Sequence, residues 1–173
     1  MATTNARTTT MNTAERLIAE LKQESAKNKT MLERIPDLKL SWKPHEKSMT
    51  IGRLGMHIAE LPNWITRSLT SESHEIGTGA YSPNIPKTHA QILAEFDSQL
   101  DTAIGHLKNA TDDTLAKNWK VTKGDKLIYD MSRAEVIRRQ MNHIIHHRGQ
   151  LSVFLRLLDV SVPPVYGPTA DER

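Results

Sequence analysis

Residues Ser132–Leu158 read SRAEVIRRQMNHIIHHRGQLSVFLRLL, and the reading of this stretch decides the fold. It opens on Ser132-Arg133-Ala134-Glu135, where a hydroxyl and a carboxylate three residues apart satisfy free backbone N–H groups at a helix start. It stops before Val162-Pro163-Pro164, which cannot continue a helix. At about 100° per residue, Val136, Gln140, His143, His147, Leu151, Phe154 and Leu158 share a sector of roughly 80°. That sector is the inward stripe of a long amphipathic helix, so its partners must be other helices with apolar faces.

Three of the chain's eight histidines, His143, His146 and His147, fall within this helix. His143 and His147 continue the line of apolar anchors, whereas His146 lies at the edge beside Asn142, Gly149 and Val153. A single inward histidine is ordinarily a core imidazole bonded to a carbonyl. Two on one buried stripe bring four ring nitrogens that need partners. A divalent ion satisfies one nitrogen on each ring, and residues four apart on a helix point the same way.

Working outward, three further helical patterns appear. The first runs from Thr13 to Arg34, with Leu17, Ile18, Leu21, Met31, Leu32 and Ile35 as its apolar positions and a polar middle from Lys22 to Thr30. The second starts at Ser48–Thr50 and carries Ile51, Leu54, Ile58, Leu61, Ile65 and Leu69, with Pro62 predicting a kink. The third opens on the capping-box pattern Thr88-His89-Ala90-Gln91 and continues through Ile92, Leu93, Phe96, Leu100, Ile104 and Leu107. The expectation is an all-α four-helix bundle over residues 13–160, a flexible tail over 1–12 and a C-terminal extension over 161–173. The connections 35–49, 71–87 and 111–131 are long for a bundle. The middle one is long enough to run the length of a ~30 Å helix, so the second and third helices are free to lie parallel. The third connection contains Trp119–Tyr129 with Lys123-Gly124-Asp125 at its centre, which reads as a small β-hairpin near 119–129.

Composition narrows the function. The chain of 173 residues has no cysteine, which excludes disulfides, zinc–thiolate sites and a protein thiol nucleophile. Any metal must sit on His, Asp or Glu. The net charge of +3 is spread out, with Arg138-Arg139 the densest basic pair, so no nucleic-acid partner is expected. No stretch is long and apolar enough for a membrane span, and the Thr-rich start lacks the apolar core of a secretory signal, so a cytoplasmic location is expected.

A third metal ligand is available on the second helix. His57 lies on the flank of its apolar stripe, beside Trp64, and can reach a facing helix. Glu60, one turn from His57, is either a solvated carboxylate or an acid/base group next to the site. His45, His74 and His89 fall in connections or at a cap and are expected in solvent, and His106 near the end of the third helix suits the helix dipole.

His57 within Ile51-Gly52-Arg53-Leu54-Gly55-Met56-His57-Ile58-Ala59-Glu60, followed by His143-Ile144-Ile145-His146-His147-Arg148-Gly149-Gln150, resembles the bacterial DinB/YfiT-like superfamily. This is the metal-binding DinB type, unrelated to the polymerase of similar name. The ending Val162-Pro163-Pro164-Val165-Tyr166-Gly167-Pro168 is similar as well. The resemblance implies an up-down-down-up bundle with a long crossover between helices 2 and 3. It also implies a divalent metal, zinc or nickel, on His57, His143 and His147, and a homodimer. The superfamily includes thiol-dependent transferases and proposed hydrolases.

The leading expectation is a metal-dependent thiol S-transferase acting on a small-molecule substrate. With no cysteine in the chain, its sulfur comes from a low-molecular-weight thiol cosubstrate. Arg148 and Gln150 are candidates to orient groups near the metal, Arg148 being equally a surface cation by its place on the wheel. The alternatives are a hydrolase using metal-bound hydroxide, with Glu60 as a candidate base, and a non-enzymatic metal- or ligand-binding stress-response protein.

Overall fold

Asn12 begins the first helix by accepting from the Glu15 N–H at 2.9 Å while the Glu15 carboxylate accepts from the Asn12 N–H at 2.8 Å, so two free donors are answered at once. The structure, a computed structural model, describes residues 11–77 and 82–172. The tail expected over 1–12 therefore lies outside the described residues except for Met11 and Asn12.

Helix α1 spans Thr13–Leu32. The second helical pattern forms two helices, α2 (Ile51–Glu60) and α3 (Asn63–Thr70), because Pro62 supplies no N–H and the chain restarts after it. Thus Pro62 divides the element that the periodicity read as one kinked helix. Helix α4 (His89–Lys108) opens on the Thr88/Gln91 capping box and α6 (Arg133–Leu157) on the Ser132/Glu135 box. Between them sits α5 (Asp112–Ala116), too short to have shown a periodicity.

The contacts fix the direction of each helix. Glu20 pairs with Arg138, and Glu24 with Arg148, so α1 and α6 run parallel. The Leu32 carbonyl bonds His89 Nε2 at 2.9 Å, placing the end of α1 at the start of α4. Ile92 meets Gly55, while Ile65 clusters with Ala103, Ile104 and Leu107, so α2–α3 runs parallel to α4. This is the up-down-down-up order, with α1 and α2–α3 on opposite corners. A Cβ on Gly55 would come within 2.5 Å of Ile35 Cδ1 and 3.1 Å of Ile92 Cδ1, so a side chain here would have to push the ends of both isoleucines aside.

The hairpin forms as β2 (Asn118–Lys123) and β3 (Lys126–Ser132), antiparallel, with Gly124 at φ +54° in its turn. A third strand, β1 (Ser73–Glu75), pairs parallel to β2, giving the order β1-β2-β3. The sheet packs Trp119 and Val121 on Val136 of α6 and on Trp64 of α3.

The polar middle of α1 has a buried partner. Arg148 on α6 is 3% exposed. Its guanidinium donates to Glu24 Oε2 at 2.7 Å, to Asn28 Oδ1 at 3.0 Å and to the Tyr166 hydroxyl at 2.6 Å. Tyr166 in turn donates to Glu24 at 2.6 Å, which ties the C-terminal segment to α1. Burial, the largest influence on Glu24, opposes its ionisation. Hydrogen bonds from Tyr166, Lys27 and Arg148, together with the Arg148 charge, outweigh it and hold the carboxyl at about 2.

Arg148→Ala removes one of three donors to the Glu24 carboxylate, leaving Tyr166 and Lys27, and is expected to cost roughly 1–3 kcal/mol in chemical denaturation. Because the folded pKa of Glu24 lies below the ordinary 4.5, its contribution is complete above that value and is lost as pH falls towards about 2. Glu24→Gln should accordingly flatten the stability profile over that window.

Candidate metal centre

Two helix faces meet between α2 and α6. His143 and His147 lie four residues apart on α6, and the two rings stand 4.6 Å apart with their Nε2 atoms at 2.9 Å. His57 on α2 brings its ring to 4.5 Å from that of His147 and 5.4 Å from that of His143. One ligand atom of each ring lies within 4.8 Å of the other two. His147 is buried, while His57 and His143 are half-buried. Among the described residues no carboxylate joins this group.

The environment keeps the rings neutral. Burial lowers His57 to about 4, helped by the fields of His147, Arg53 and His143. Burial likewise lowers His143 to about 4, with contributions from His147, His146 and Arg139. His147 is lowered by burial too, partly opposed by its bond to Gln150. Gln150 Oε1 accepts from His147 Nδ1 at 2.7 Å. With Gln150 Oε1 as the acceptor, the His147 ring proton lies on Nδ1 and its Nε2 accepts from His143 Nε2 at 2.9 Å, so a lone pair of His147 faces the position a shared ion would take.

The donor set fits a divalent ion. Two nitrogens bound at ~2.1 Å each can stand no more than about 4.2 Å apart. The His143–His147 pair at 2.9 Å is inside that limit, and His57, with a ligand atom within 4.8 Å of both, needs to close by no more than about 0.6 Å to meet it. His143 also lines a cleft of about 670 Å³ with Arg138, Arg139 and Asn142, so this one member of the cluster borders open space on the flank of α6.

The remaining sequence candidates fall elsewhere. Glu60 is half-buried and ion-paired with Arg53 at 3.0 Å, bracing α2. Arg148, instead of being a surface cation or facing the histidines, is engaged by α1 and Tyr166. His146 is exposed at the edge, 5.0 Å from the His147 ring, and His45 and His106 are exposed. Two histidines expected in solvent are not there. His74 is half-buried, stacked on Trp119 at 6.1 Å and edge-on to Trp64 at 5.1 Å, because β1 carries it into the sheet. His89 is half-buried and holds the Leu32 carbonyl. The pairing of Arg139 with the Tyr129 ring, at 5.3 Å, was not legible, since it depends on how the hairpin folds back onto α6.

The family model of the DinB family matches residues 5–173, and the chain belongs to that family. It is 27% identical over 151 residues to the uncharacterized protein YrdA of Bacillus subtilis (strain 168), covering 86% of this chain and 85% of that one. The fold is similar to that of a DinB-like protein from Bacillus cereus ATCC 10987, with a TM-score of 0.68 at 24% identity over 87% of this chain and 95% of that one. It is also similar to YfiT from Bacillus subtilis, with a TM-score of 0.67 at 16% identity over 91% and 95%. YfiT is described as a probable metal-dependent hydrolase with an unusual four-helix bundle topology. Among the described residues no helix is long and apolar enough to cross a membrane.

In metal-free protein the ring resonances of His57 and His143 should titrate near pH 4 in an NMR experiment, not near the ordinary 6.5. The unfolded chain then binds more protons across that interval, so stability should decline as pH falls from 6.5 towards 4. Titration of both rings near 6.5 would mean that solvent reaches them freely.

Proposed function

We propose that this DinB-family chain is a divalent-metal-dependent enzyme in which His57, His143 and His147 hold the ion, and that its nucleophile is the thiol of a small cosubstrate. The observation that carries the reading is the donor set: three imidazoles bring one ligand atom each to within 4.8 Å of the others, without a carboxylate among the described residues, and one of them, His143, lines a cleft. A bound ion would keep its full +2 charge there and stabilise the anionic form of a thiol or a water at neutral pH. Imidazole donors of this kind suit zinc or nickel.

The chain's own residues do the rest. Burial disfavours protonation of the rings, and Gln150 Oε1 lies 2.7 Å from His147 Nδ1, where it favours a proton on that nitrogen. No cysteine is present, and Glu60 is held by Arg53, so an ionisable nucleophile arriving with the cosubstrate suits the site better than one drawn from the protein. A second reading, hydrolysis, is favoured by the likeness to YfiT. It asks for activation of water at the same centre without help from Glu60.

Elemental analysis of purified protein should find about one divalent ion per chain, falling towards zero in His57→Ala, His143→Ala and His147→Ala. Unchanged content in all three variants would refute the ligand set. Gln150→Leu should weaken metal affinity by roughly 10–100-fold. In the cobalt-substituted protein a small thiol should produce a sulfur-to-metal charge-transfer band. Absence of that band, with turnover of an ester or amide panel, would favour the hydrolase.

A further inference from the structure

The cleft beside His143 carries one cation that has no ion-pair partner among the described residues. Of its charged lining residues, Glu135 is engaged in the helix cap, accepting from the Ser132 N–H at 2.8 Å, and Arg138 is paired with Glu20. Arg139 is exposed. Among the described residues its guanidinium lies over the Tyr129 ring, 5.3 Å from the centroid, and no carboxylate pairs with it. The Tyr129 hydroxyl is itself buried and has no hydrogen-bond partner among the described residues. One helical turn separates Arg139 from His143, so both belong to the same wall of the cleft.

A stacked guanidinium is held in place by the ring beneath it, and its planar donors match the two oxygens of a carboxylate. A doubly charged phosphate would call for more than the single unengaged cation this wall offers. We propose that Arg139 is a specificity-determining residue that selects a substrate or cosubstrate bearing a carboxylate, held one helical turn from the three-histidine centre. The inference rests on the metal reading above and adds the charge class of the molecule that enters.

Two probes with the same metal-binding head separate these ideas: succinic monohydroxamate, which ends in a carboxylate, and butyrohydroxamate, which ends in a methyl group. Calorimetric titration of the metal-loaded protein should give about tenfold tighter binding of the carboxylate probe. The preference should vanish in Arg139→Gln, persist in part in Arg139→Lys, and shrink as salt is raised. Arg139 is exposed, so the variants should keep the parent's metal content and melting temperature. Equal binding of the two probes by the parent, or an unchanged preference in Arg139→Gln, overturns the proposal while leaving the metal site standing. A parent protein that takes up no metal and binds neither probe overturns both.

Discussion

Three imidazoles can be held within contact of one another only if none of them is charged and the helices that carry them cannot drift apart. Much of the architecture answers that constraint. His143 and His147 need nothing more than the helical repeat, since residues four apart on α6 share a face. His57 needs α2 to lie against α6, and the up-down-down-up order puts it there by placing α1 on the opposite corner. At Gly55 the ends of Ile35 and Ile92 lie where a side chain would stand, and Pro62 ends α2 shortly after the histidine. The sheet then packs against Val136 of α6 and Trp64 of α3, on the α3 side of the site.

Helix α6 is consequently asked to do two unlike things on two faces. One face presents the histidines to α2, and the other presents Arg148 to Glu24 and Asn28 of α1. A buried ion pair of this kind is a weak source of net stability, because desolvation offsets much of the attraction. Its geometry is nonetheless demanding: the guanidinium has four acceptor atoms, the Glu24 carbonyl and carboxylate, the Asn28 amide oxygen and the Tyr166 hydroxyl, so α6 cannot slide or rotate along α1 without breaking several bonds at once. The register that this sets for α6 is the register at which His143 and His147 meet His57. A polar cluster at the α1 side therefore fixes the position of the site on the α2 side.

The four principal helical patterns, both capping boxes and the hairpin were legible because each is a local signal. Ser132 and Glu135, or Thr88 and Gln91, need only each other to mark a helix start. The histidine triad was legible for a related reason: two members are set by the 3.6-residue repeat, and the third lies on a helix whose own periodicity is strong. Resemblance to the family supplied the topology, which spacing alone left open. What was not legible depends on distant partners. The three-residue β1 has no pattern of its own and exists through pairing with β2, which is why His74 was expected in solvent. The polar middle of α1 looked like a weak helix, and Arg148 like a surface cation, because each makes sense only with the other.

The charge around the triad follows one plan. Burial lowers His57 and His143, and the fields of Arg53 and Arg139 push in the same direction, so cations next to the site favour the ligand-competent neutral ring. Those same cations would repel an incoming metal ion if they stood alone. Arg53 is offset by Glu60, which leaves α2 nearly neutral beside His57. Arg138 is offset by Glu20 in the same way. Arg139, lying over the ring of Tyr129, is the charge left unbalanced at the mouth of the cleft. Neutral rings beside one uncompensated cation form an arrangement in which any ion held by the three histidines would add to the pull of Arg139 on an anion, so the two charges would act together and not in competition.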